Sequence, residues 1–126
     1  MPLAALVVDD SMLIRHTVCR FLEERGFTVE SVSNGAEALE KLGGPLPDLI
    51  VTDMKMPKMD GNELITALKR DPRTANVPII IVAGHQSGFN KNEARANYAI
   101  YKDIDIECQL KKALTAIFGT AAGAGK

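Results

Sequence analysis

The chain reads as one α/β domain: a three-layer, doubly wound, five-stranded parallel sheet with helices on both faces. Three observations predict it. Short apolar runs alternate with helix-period segments along the chain. Three of those runs are uninterrupted rather than alternating, as strands covered on both faces require. The length, 126 residues, is the common size of a single domain and leaves no room for a second.

The first strand is Leu3 to Val8 (LAALVV), wholly apolar. A helical period follows at Ile14, Val18, Phe21 and Leu22, and Gly26 ends it in the C′ role. Phe27 to Ser33 is a second, weaker strand. Ala36, Leu39 and Leu42 space a short second helix. Leu49 to Val51 begins the third strand, which ends in Asp53. Leu64 and Leu68 mark a third helix that stops near Asp71 and Pro72. Ile79 to Ala83 (IIIVA) is the fourth strand and Tyr98 to Tyr101 the fifth. The last helix carries Ile106, Leu110, Ala113, Leu114 and Ile117 on one face. Strands alternating with helices imply parallel pairing through right-handed crossovers. The fourth crossover, 84–97 (GHQSGFNKNEARAN), holds two glycines, three asparagines and one large apolar residue, Phe89. A fourth helix there is expected to be short or mobile, since it buries so little. Residues 1–118 are assigned to the domain and 119–126 (GTAAGAGK) to a flexible tail.

Fifteen basic and sixteen acidic residues give a formal net charge of -1. That balance leaves no electrostatic footprint for nucleic acid or an anionic membrane surface. No apolar run approaches the roughly 20 residues that span a bilayer. The apolar start, Met1 to Val8, is short and lacks a basic leader, so it is not read as a signal peptide. Cys19 and Cys108 lie far apart, without metal-site spacing. They fit a reducing, cytoplasmic setting and are read as small helix residues, not nucleophiles.

In doubly wound sheets, ligands bind beyond the carboxyl ends of the strands. Asp9 and Asp10 end the first strand, Asp53 the third and Lys102 the fifth. Each alone is commonplace: a helix N-cap region, a turn acid, a solvated lysine. Together they fall on one rim, provided the first and third strands are neighbours. Like charges a few ångströms apart are costly, and a hard divalent ion with room for waters, Mg²⁺, resolves that cost. Three acids, a lysine and Mg²⁺ make a site for a dianionic phosphoryl group.

Three segments carry a resemblance: Leu6 to Arg15 (LVVDDSMLIR), Asn34 to Leu39 (NGAEAL) and Asp48 to Gly61 (DLIVTDMKMPKMDG). The last holds the pattern D-x-x-M-P-x-M-D-G, which is highly specific. With the preceding acid pair, these resemble the receiver domain of two-component response regulators, over residues 3 to about 118. The resemblance implies a flavodoxin-like fold and cytoplasmic phosphorelay signalling by a phosphoprotein rather than an enzyme. Asp53 becomes the phosphoacceptor, forming an aspartyl phosphate. Asp10 becomes the direct Mg²⁺ ligand, Asp9 its water-bridged companion, Asp53 a further ligand, and the carbonyl of Lys55 the backbone ligand. Lys102 pairs with the phosphoryl oxygens, while Pro57 and Gly61 shape the loop after the third strand. The donor is a histidine kinase or histidine phosphotransfer protein. A downstream target protein would dock on the face made by the fourth crossover helix, the fifth strand and the last helix.

The sequence also departs from the family. Receivers carry Thr or Ser at the end of the fourth strand, where Ala83 stands and can donate no hydrogen bond. The aromatic usual three residues before the lysine is replaced by Ala99, and the proline after it by Asp103. Both halves of the usual switch are missing, so an atypical one is expected. Thr52 cannot substitute, since adjacent strand side chains face opposite ways. Lys55 and His85, each two residues beyond a site position, are candidates for setting the lifetime of the phosphate. His16 is read as inert.

Three functions compete. The first is a single-domain receiver that signals through protein contacts. The second is a receiver-like binding module that no longer switches by phosphorylation, which Ala83 and the lost proline favour. The third is a small Mg²⁺-dependent phosphohydrolase, opposed by Lys55, which stands where such enzymes place a second acid.

Overall fold

A computed structural model describes residues 3–53, 61–83, 98–101 and 105–118. The strands are β1 (Ala4–Val8), β2 (Thr28–Val32), β3 (Leu49–Asp53), β4 (Ile79–Ala83) and β5 (Tyr98–Tyr101); the helices are α1 (Met12–Glu24), α2 (Gly35–Lys41), α3 (Gly61–Arg70) and α4 (Ile106–Phe118). The sheet is wholly parallel, in the order β2-β1-β3-β4-β5. Each expected strand is present, and β1 and β3 are neighbours. The expected helix within 84–97 lies outside the described residues, as does the tail 119–126.

Two apolar cores form because side chains alternate along each strand. Ala5, Val7, Leu49, Val51, Ile80, Val82 and Ile100 point to one face, where α1 supplies Val18, Phe21 and Leu22 and α4 supplies Leu110, Ala113 and Leu114. Leu6, Val8, Ile50, Ile79 and Ile81 point to the other, against Ala38 and Leu42 and against Leu64, Ile65 and Leu68 of α3. The continuous apolar runs read from the sequence are thus strands buried on both faces. One detail differs: Ala36 is exposed, and the inner face of the second helix runs through Gly35, Ala38, Leu39 and Leu42. That is the i, i+3, i+4, i+7 stripe of a helix begun one residue earlier.

Local chemistry sets the helix ends. The Asn34 side chain accepts from the Glu37 amide at 2.9 Å, and Glu37 reaches back to accept from the Ser33 amide at 2.9 Å. This reciprocal cap starts α2. At the end of α1, the Phe27 amide donates to the Leu22 carbonyl at 3.1 Å and the Gly26 amide to the Glu23 carbonyl at 3.0 Å. These two bonds make a Schellman motif, with Gly26 at a φ of +92°. Past α3, the buried Thr74 hydroxyl donates to the Leu68 carbonyl at 2.7 Å, turning the chain back toward β4.

Cys19 packs against the first core while Cys108 is exposed. Burial pushes the Cys19 thiol pKa up, outweighing the hydrogen bond with Ser31 that pulls it down. The thiolate is the nucleophilic form, so burial and the raised pKa both disfavour reaction at Cys19.

Two outcomes follow from these features. Gly26→Ala meets no steric obstacle but forces a side chain into a left-handed backbone, and is expected to cost about 1–2 kcal/mol, read by urea denaturation. Iodoacetamide at neutral pH is expected to label Cys108 first, leaving a slow thiol in a Cys108→Ser variant, read by intact mass. Because the folded chain holds the Cys19 proton more tightly, that group's contribution to stability is complete below the ordinary thiol pKa. It is lost as pH rises through the raised value.

Candidate phosphoryl and metal site

The pairing of β1 with β3 sets the site. Val8 stands opposite Thr52, so one residue further along each strand Asp9 comes beside Asp53. Asp9 and Asp53 are buried, 2% and 4% exposed, and Asp10 is exposed. One carboxylate oxygen from each of the three lies within 4.8 Å of the others. The sequence expectation of three acids converging on the carboxyl rim therefore holds.

Asp9 is held by the start of α1. Its Oδ1 accepts from the Ser11 amide at 2.8 Å, and its carbonyl accepts from Arg15 Nη1 at 2.8 Å. Its own amide donates to the Val32 carbonyl at 3.2 Å, continuing the ladder to β2 past the end of β1. Ser11 also caps α1, its Oγ accepting from the Ile14 amide at 3.3 Å. Sequence reasoning gave Arg15 and Ser11 no such role. The N-cap signal of Ser11 ahead of an apolar-periodic segment was there to be read; the Arg15 contact was not, since it depends on the path of the chain between strand and helix.

The donor set fits a hard cation. All three side chains offer carboxylate oxygen, and the exposure of Asp10 leaves an open side for water. Mg²⁺ takes such hard oxygen donors and keeps several of its waters. Two carboxylates about 4 Å apart repel by about 4 kcal/mol at an effective dielectric near 20, so a cation in the cluster is favoured.

The remaining sequence candidates divide. Lys55, Pro57, His85, Lys102 and Asp103 lie outside the described residues. Ala83 ends β4 and pairs with Tyr101 of β5, on the same rim. Ala99 packs against the second core, whereas Tyr98 packs against the first. Thr52 is buried and its Oγ1 donates to the Asp53 carbonyl at 3.0 Å, so its hydroxyl is engaged with backbone. His16 is exposed on α1.

Comparison with known proteins agrees with this geometry. The profile of the response regulator receiver domain matches residues 5–115. The chain is 39% identical over 89 residues to the gliding motility regulatory protein of Myxococcus xanthus, covering 71% of this chain and 12% of that one. It is 40% identical over 79 residues to the DNA-binding transcriptional regulator NtrC of Escherichia coli, covering 63% and 16%. It therefore spans only a small part of these curated relatives. The chemotaxis response regulator CheY4 of Vibrio cholerae has the same fold, with a TM-score of 0.81 and 28% identity over 93% of this chain and 100% of that one. So has the receiver domain of the sensor histidine kinase PA1611 of Pseudomonas aeruginosa, solved with magnesium coordinated in its active site cleft. There the TM-score is 0.83, with 21% identity over 95% of this chain and 100% of that one. Among the described residues, no helix is long and apolar enough to cross a membrane. A profile match spanning both ends of the sheet, with its acids gathered at one rim, is conclusive: this chain belongs to the response regulator receiver domains of two-component systems.

Proposed function

We propose that this receiver takes up a phosphoryl group on Asp53 from a phosphohistidine of a histidine kinase or histidine phosphotransfer protein. The observation that carries the reading is the convergence of Asp9, Asp10 and Asp53 within 4.8 Å. Phosphorylation and Mg²⁺ binding are typical of the family to which the chain belongs.

Asp10, Asp53 and the Lys55 carbonyl would hold Mg²⁺, with Asp9 acting through a water. When bound, Mg²⁺ supplies charge neutralisation for the oxygens of the group in flight. The chain's own residues do the rest. Asp53, fixed at the end of a buried strand, presents a carboxylate oxygen that forms the new O–P bond. The P–N bond of the donor breaks as it forms, and the imidazole nitrogen keeps the electron pair and gains a proton from solvent. Lys102 pairs with the phosphoryl oxygens. Asp9 is anchored through Ser11 and Arg15 and holds its place while charge is exchanged beside it. Lys55 and His85 are assigned to flanking the path of the water that later hydrolyses the acyl phosphate, so the turnover is slow self-dephosphorylation and not enzymatic use of a substrate. Output is through protein contacts on the face that includes β5 and α4.

The switch is atypical. Ala83 offers no hydroxyl, and Ala99, packed on the second core, offers no ring to swing inward. The same observation favours a second reading, a receiver-like binding module that no longer responds to phosphorylation.

Incubation with acetyl phosphate and Mg²⁺, followed by intact mass, is expected to show one labile phosphoryl adduct on the wild type and none on Asp53→Asn. Absence of a wild-type adduct, with a kinase as well as with acetyl phosphate, selects the second reading. Asp10→Asn is expected to weaken Mg²⁺ binding by at least the roughly 10- to 100-fold that loss of an outer-shell partner costs, measured by titration calorimetry.

A further inference from the structure

The end of β5 is gripped from outside the sheet. Tyr101 is the last residue of an edge strand. Its amide donates to Gln109 Oε1 at 3.0 Å, and its carbonyl accepts from Gln109 Nε2 at 2.7 Å. In a parallel ladder the amide and carbonyl of one residue serve the same neighbour. A primary amide carries both a donor and an acceptor, so the side chain of Gln109 alone satisfies the two backbone groups that a neighbouring strand would bond with two successive peptides. Gln109 Nε2 also donates to the Asp105 carbonyl at 3.3 Å, and the Asp105 side chain accepts from the Cys108 amide at 3.1 Å as it caps α4. Leu110, next to Gln109, is fully buried in the first core. The grip is thus mounted on a helix that cannot shift without opening that core.

The position of the grip is informative. A side chain that merely covered an open edge could sit anywhere along β5. This one takes both polar groups of Tyr101, and the next residue in the chain is Lys102. A lysine ammonium on a flexible four-carbon stem reaches a fixed point only as well as its backbone is placed.

We infer that Gln109 is a positioning residue for phosphoryl transfer: by holding both backbone groups of Tyr101 from α4, it sets the strand end from which Lys102 reaches the phosphoryl group. This rests on the role proposed above for Lys102.

The test measures phosphorylation of Asp53 by acetyl phosphate at saturating Mg²⁺ in the whole chain, well below each variant's melting temperature. Gln109→Leu keeps the bulk and loses both hydrogen bonds. Gln109→Glu keeps the acceptor for the Tyr101 amide and sets a carboxylate against two carbonyls. Both are expected to slow phosphorylation roughly 10- to 100-fold, the upper figure being the scale of a misplacement of about 1 Å, with Mg²⁺ affinity unchanged. In a Lys102→Ala background, Gln109→Leu is expected to add nothing, because the two residues act as one unit. An unchanged rate in Gln109→Leu overturns the inference, as does an equal loss with and without Lys102, which would mark a structural role only. A wild type that takes no phosphoryl group overturns the functional reading itself, and that is seen in the first arm, before any variant is compared.

Discussion

The register of β1 against β3 is the constraint on which the molecule depends. Once Val8 faces Thr52, Asp9 and Asp53 come side by side at the carboxyl rim. A slip of one residue would turn the apolar side chains of either strand to the wrong face. Register is therefore enforced by two cores at once, since both strands are buried on both sides. The acids are costly neighbours, and the apolar strands behind them keep them together.

The same logic explains why the candidate site lies at this rim. In a parallel sheet all strands deliver their final residues to one side. Helix starts gather there too, and the first of them, α1, contributes the Ser11 amide and the Arg15 guanidinium that hold Asp9. A buried carboxylate is tolerated where backbone donors and a cation compensate it. Asp10, one residue on and exposed, needs no such support and stays open to solvent.

Much of this is legible in the sequence. Uninterrupted runs such as Ile79 to Ala83 announced doubly covered strands, Gly26 announced the end of α1, and the placement of Asp9, Asp10 and Asp53 at strand ends announced the site. On the short second helix Leu39 and Leu42 face inward as expected, but Ala36 does not: Ala38 takes the inner place, and composition does not distinguish the two alanines. The contacts of Arg15 and Gln109 were illegible for another reason. Each spans a turn whose backbone path decides whether the side chain reaches, and no periodicity encodes that path. The proline missing after Lys102 was visible as an absence; an amide seven residues later that grips the preceding strand was not.

Helices α1 and α4 lie on the same face of the sheet and share one apolar core. One of them steadies Asp9 at the middle of the rim and the other steadies Tyr101 at its edge. Two points of the carboxyl rim are thus anchored to a single slab, while α2 and α3 pack on the opposite side of the sheet. A push applied to that slab would move both points together, whereas an equal push on the far flank would reach them only through the sheet.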